Sequence, residues 1–167
     1  PKSSVFVVYN GKCKYNQKNN ILMSMTSQIL DLVYTEKVRE EEGGTYGVYV
    51  GGSLSKYPKE TALLQIIFDT APDKKDKLMK IIFAEAENLA KAGPSDEYML
   101  KKHTEDLKEN RFWLGSIDEY IFTGVDMIKD YENLVNSITA KEVQKFADDL
   151  MKQKNEVEVT MVSPEKK

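Results

Sequence analysis

The chain has 167 residues, 41% hydrophobic and 31% charged, enough for one well-packed core and too few to expect two. Its 24 basic and 27 acidic residues leave a net charge of −3 with no basic block, which argues against a nucleic-acid footprint. The longest apolar runs, Val5–Tyr9 and Leu63–Phe68 with Gln65 interrupting it, fall far short of the roughly 18–20 residues of a membrane span, and the one cysteine, Cys13, excludes an internal disulfide and suits strand packing.

The first element predicted is a strand over Val5–Tyr9, stopped by the turn dipeptide Asn10-Gly11. Leu22, Met25, Ile29, Leu32 and Val33 then follow a three-and-four spacing, so a helix with one buried face is expected from about Asn20 to Val38. Gly43-Gly44 breaks it and the period falls to two. Tyr46, Val48 and Val50 share one face of a second strand, and Thr45, Gly47 and Tyr49 the other. Ser-Lys-Tyr-Pro, within Leu54–Lys59, reads as a loop, and Thr61–Asp69 as a third strand antiparallel to the second.

Pro72-Asp73 opens a helix with a stripe of Leu78, Met79, Ile82, Ala86, Leu89 and Ala90, closed by Gly93 and Pro94. Ser95 is placed to cap a further helix running through His103 to about Leu114. Capping boxes at Ser116–Glu119 and Thr139–Glu142 start two more. The last carries Val143, Phe146, Ala147, Leu150 and Met151 on one face. Val157, Val159 and Met161 alternate with Glu156, Glu158 and Thr160 in a closing strand expected to have one wet face. Trp113 is read as helix-core packing, with an exposed docking role as the alternative. The order β-α-β-β-α-α-α-α-β gives an α+β fold, a mostly antiparallel four-stranded sheet with helices packed on it. Pro1 in place of an initiating Met, ahead of a strand, suggests a single domain (1–167) excised from a longer protein.

The chemistry available is narrow. One His and one Cys cannot assemble a zinc site, and His103, amid Lys101, Lys102, Glu105 and Asp106, reads as a surface histidine. No Ser sits in a nucleophile-elbow pattern, and the carboxylates of Glu40–Glu42 and Asp148-Asp149 are adjacent on helices and diverge. The glycines at 43, 44, 47, 51 and 52 lack the Lys and the following helix of a phosphate loop. What remains is Arg39, in the last turn of a long helix, and Tyr46, opening a strand across a glycine turn. Arg presents a planar fork of donors and a Tyr hydroxyl can donate to an oxyanion. A structural reading stands beside this one: Arg39 favours a helix C-terminus and pairs with Glu, while Tyr46 packs in the core.

Arg39-Glu-Glu-Glu-Gly-Gly-Thr-Tyr46-Gly47 resembles the segment found in the non-catalytic halves of the pitrilysin- and insulinase-type zinc metallopeptidases, the M16 peptidases, with Arg and Tyr seven positions apart. The order of elements is similar to one M16 domain over essentially the whole chain. The resemblance implies a C-terminal domain that closes over a peptide or unfolded polypeptide. Arg39 then binds a substrate carbonyl, and Tyr46 binds substrate and donates to the oxyanion. Zinc and the general base belong to another, metal-bearing half of the same protein, because H-x-x-E-H is absent here and this chain holds no metal. An inactive relative serving as a structural or interaction domain is the alternative. Family habit points to a bacterial cell envelope.

Overall fold

The computed structural model describes residues 2–42, 47–99 and 108–163. Along these residues the elements are β1 (Ser3–Lys12), α1 (Gln17–Glu42), β2 (Val48–Ser55), β3 (Thr61–Thr70), α2 (Lys75–Ala92), α3 (Asp96–Met99), α4 (Asn110–Thr123), α5 (Tyr131–Ser137), α6 (Ala140–Met151) and β4 (Glu156–Val162). The strands form one antiparallel sheet in the order β2-β3-β1-β4. The class is α+β, as the pattern of elements requires.

Register explains where the core lies. Val5 stands opposite Phe68, Val7 opposite Ile66 and Tyr9 opposite Leu64, so alternate residues of β1 and β3 share the face that the helices cover. Val48 and Val50 extend that face onto β2, while Tyr49 points to the other side and is exposed. Against it lie the stripe of α2, all six of whose predicted residues are buried, and Val143, Phe146, Ala147 and Leu150 of α6. Each Leu, Ile or Phe so covered contributes about 1.5–3 kcal/mol, far more than the surface ion pairs nearby.

The central helix is α1. Leu22, Met25 and Ile29 of the predicted stripe are buried, and so are Met23, Leu30 and Tyr34 outside it. The helix is covered on more than one side because it packs against β2, α2 and α6 together. Tyr34 is fully buried, and its hydroxyl donates to the Ile82 carbonyl of α2 at 3.0 Å. Burial pushes its phenol well above the ordinary tyrosine range.

Several expectations are corrected. β1 does not stop at Asn10-Gly11 but runs to Lys12. The side chain of Gln153 pairs with the Lys12 backbone, accepting its N–H at 2.7 Å and donating to its carbonyl at 3.0 Å. It fills the space a Cβ on Gly11 would need. Long-range pairing thus overrides a local turn preference. The helix expected from Ser95 to Leu114 is not continuous, since Glu109 is extended and α4 begins at Asn110. That helix then passes straight through Ser116, whose residue is buried mid-helix, so Ser116–Glu119 is no capping box; Gly124, left-handed at φ 71°, ends it instead. A short α5 follows. The Thr139–Glu142 box is present in full, with Thr139 Oγ1 accepting from the Glu142 N–H at 3.3 Å and Glu142 Oε2 from the Thr139 N–H at 2.8 Å.

Two apolar surfaces face outward. Trp113 is 41% exposed rather than in the core. It belongs to an outer stripe of α4 with Leu114, Ile117, Tyr120 and Ile121, while Phe112, Ser116 and Thr123 turn inward. The closing strand β4 is wet on both faces, because it is the sheet's outer edge and Val157, Val159 and Met161 are exposed along with Glu156 and Glu158.

Candidate functional site

Arg39 lies in the last turns of α1, directly after Val38, which is buried at 3% exposure. Its side chain lies outside the described side chains, and Tyr46 lies outside the described residues, as does His103. What the structure describes is the frame on either side of residues 43–46. From Val48, β2 doubles back along α1. Asp31 Oδ1 accepts the Val50 N–H at 3.3 Å, tying helix to edge strand. Gly52 allows the closest approach, since a Cβ there would sit 2.5 Å from Met23 Sδ. Tyr49 leans along the strand over Gly51, where an added Cβ would meet its hydroxyl at 2.8 Å. The neighbour that approaches Gly52 is the protein's own helix α1.

The same α1–β2 seam opens at its other end into a cleft of about 450 Å³ under α4. Tyr15, Asn20, Ile21 and Ser24 of the first turns of α1 and the segment before it form one wall, Gly52–Leu54 of β2 a second, and Arg111, Phe112, Gly115, Ser116 and Glu119 of α4 a third. The Tyr15 hydroxyl donates to the Glu119 carboxylate, Phe112 stacks edge-on against Tyr131 at 4.8 Å, and Lys56 Nζ donates to the Thr123 carbonyl at 2.6 Å. Burial, with the Glu119 carboxylate second, pushes the Tyr15 phenol above the ordinary tyrosine range. Tyr15 therefore stays a donor at neutral pH. Sequence reasoning passed over Arg111, Tyr15 and Glu119, which are distant in the chain and meet only through the packing of α4.

Among the described residues no three His, Cys, Asp or Glu side chains converge, and the sequence holds one His and one Cys in all. Cys13 sits half-buried just after β1, and burial followed by the charge of Glu60 raises its thiol, the opposite of an activated nucleophile.

Residues 1–103 match the family model described as the peptidase M16 inactive domain. The fold is similar to that of the periplasmic protease PqqL from Escherichia coli, at 14% identity and a TM-score of 0.79, covering 98% of this chain and 19% of that one. It is similar to a peptidase M16 inactive domain from Pseudomonas fluorescens, at 17% identity and a TM-score of 0.72, covering 99% of this chain and 42% of the other. An inactive peptidase domain from Bordetella parapertussis aligns at 15% identity and a TM-score of 0.70, over 99% of this chain and 92% of the other. The chain thus spans about a fifth of the length of the Escherichia coli protease. No curated protein matches it in sequence.

Proposed function

The chain belongs to the M16 peptidase family as an inactive-domain member, and on that premise we propose that it is the substrate-side C-terminal domain of a longer zinc peptidase whose metal is held by another domain. The observation that carries this reading is the family match together with Arg39 and Tyr46 at the family's seven-residue spacing. The frame around them supports it. Val38 and Val48 are buried on either side of the junction, and Asp31 and Gly52 hold β2 against α1, so the described elements that flank the junction are fixed to one another. In this reading Arg39 orients a peptide carbonyl by its guanidinium fork, and the Tyr46 hydroxyl donates to the oxyanion formed when that peptide is attacked. The metal-bearing half contributes the zinc. This chain positions the peptide and stabilises developing charge.

The remainder of the protein also has a place to dock. The outer stripe of α4, with Trp113, Leu114, Ile117 and Ile121, is apolar surface that a solvated helix has no reason to carry. We assign it to contact with the metal-bearing half. The same stripe serves the second reading, a non-catalytic interaction domain of an inactive relative. We also propose a bacterial cell-envelope location, by family habit alone, and cell fractionation is its test.

Intact mass and zinc content of the natural gene product separate the readings. The peptidase reading requires a product several times heavier than 19.1 kDa with one equivalent of zinc. A zinc-free product that added metal does not recharge supports the scaffold.

A further inference from the structure

The cleft under α4 is lined by the first turns of α1 and the far end of β2, and its chemistry is specific. Ile21, Leu54, Phe112 and Met127 give it apolar walls. Arg111 is exposed at its rim and makes no ion pair or hydrogen bond with the described residues. Glu119, the acidic group of the cleft, is already engaged by the Tyr15 hydroxyl. Arg111 and Glu119 stand eight positions apart on one helix, about 12 Å along its axis, so an anion at the arginine keeps clear of the carboxylate. Gly115 leaves the middle open, with no atom within 4 Å of where a Cβ would be. At about 450 Å³ the space suits one large side chain and a terminal group.

We propose that this cleft binds the C-terminal residue of a peptide, its apolar side chain between α1 and α4 and its carboxylate on Arg111. A guanidinium meets a carboxylate by two parallel hydrogen bonds, which a neutral amide cannot reproduce. Because Gly52–Leu54 form one wall, the rest of such a peptide continues alongside β2, whose length from Val48 to Leu54 is about 20 Å. This inference rests on the reading of the protein as one that handles peptides, and it adds where a free end is held.

The probes are an acetylated octapeptide of Ala and Thr ending in leucine with a free carboxylate, and the same peptide amidated at its C-terminus. Binding to this chain is read by calorimetry and by emission of Trp113, the sole tryptophan, whose ring packs on Phe112 at 5.8 Å. We expect the free acid to bind at least about tenfold tighter than the amide, Arg111→Gln to lose that difference, and the two changes together to weaken binding no more than either alone. Gly115→Leu, which fills the cleft from a helical position with space for it, abolishes binding while the far-ultraviolet circular dichroism stays unchanged. Equal affinity for acid and amide, wild-type binding by Arg111→Gln, or no binding at millimolar peptide overturns the proposal. These outcomes are independent of turnover. Indifference to the carboxylate beside a Tyr46→Phe loss of turnover removes the cleft and leaves the peptidase reading, and the reverse pair of results removes the role of Tyr46 and leaves the cleft.

Discussion

Gly52→Ala tests the close seating of α1 on β2 that frames the site. The new Cβ would lie 2.5 Å from Met23 Sδ, 2.8 Å from its Cγ and 3.3 Å from its carbonyl oxygen. Carbon and sulfur atoms pack comfortably at about 3.5–4.0 Å, so roughly 1 Å of room has to be found. Met23 is only 1% exposed and cannot swing into solvent, although its thioether can change rotamer. Overpacking of this kind costs about 1–3 kcal/mol, and a flexible neighbour puts it in the lower half of that range. Against this, alanine restricts the unfolded chain and returns about 0.5 kcal/mol. A net loss of about 0.5–1.5 kcal/mol remains, measurable by urea denaturation at unchanged m-value. In a Met23→Ala background the same substitution meets no thioether and becomes neutral or stabilising, a coupling of about 1 kcal/mol or more. Equal destabilisation in both backgrounds, or outright stabilisation of the wild type, would refute the packing argument.

Thr70→Val should stabilise by about 0.5–1 kcal/mol, because the buried Thr70 and Ser3 hydroxyls, opposite one another across β3 and β1, have no hydrogen-bond partner among the described residues; the melting temperature should rise by about 2 °C. The Lys18 ammonium at 2.6 Å, followed by the Thr139 N–H and hydroxyl, holds the Glu142 carboxyl down at about 2. Its folded pKa lies below its unfolded one, so its contribution is complete above about pH 4.5 and fades as pH falls toward 2. With Glu142 and Lys18 side chains 35% and 45% exposed, screening limits that contribution to about 1 kcal/mol. Glu142→Gln should cost that much at pH 7 and clearly less at pH 2, by denaturant titration at both. Ile121→Glu, at a position 77% exposed, should change this chain's stability by less than about 0.5 kcal/mol while weakening its association with the metal-bearing half in a pull-down.

Where local pattern and tertiary context agree, the sequence was readable to the residue. The α2 stripe from Leu78 to Ala90 and the Thr139–Glu142 box are as expected, since periodicity and capping are properties of the segment itself. The misreadings share one physical origin. Spacing reveals that Trp113, Ile117 and Ile121, or Val157, Val159 and Met161, form an apolar row, and it is silent on whether the protein's own core covers that row. Asn10-Gly11 failed as a turn because Gln153, far along the chain, completes the strand there. Arg39 and Tyr46 were visible only as a family spacing, and the Arg111 cleft was invisible because α1, β2 and α4 build it from three separated segments.

The role of Tyr46 on substrate is the central claim, and the most direct measurement is steady-state turnover of the full-length protein carrying Tyr46→Phe, with circular dichroism and melting temperature as controls. The account predicts a loss of roughly 10²–10³-fold in kcat with little change in KM or in fold, because the hydroxyl acts on the oxyanion and not on the ground state. Wild-type turnover in that variant would contradict it and leave the chain an interaction domain.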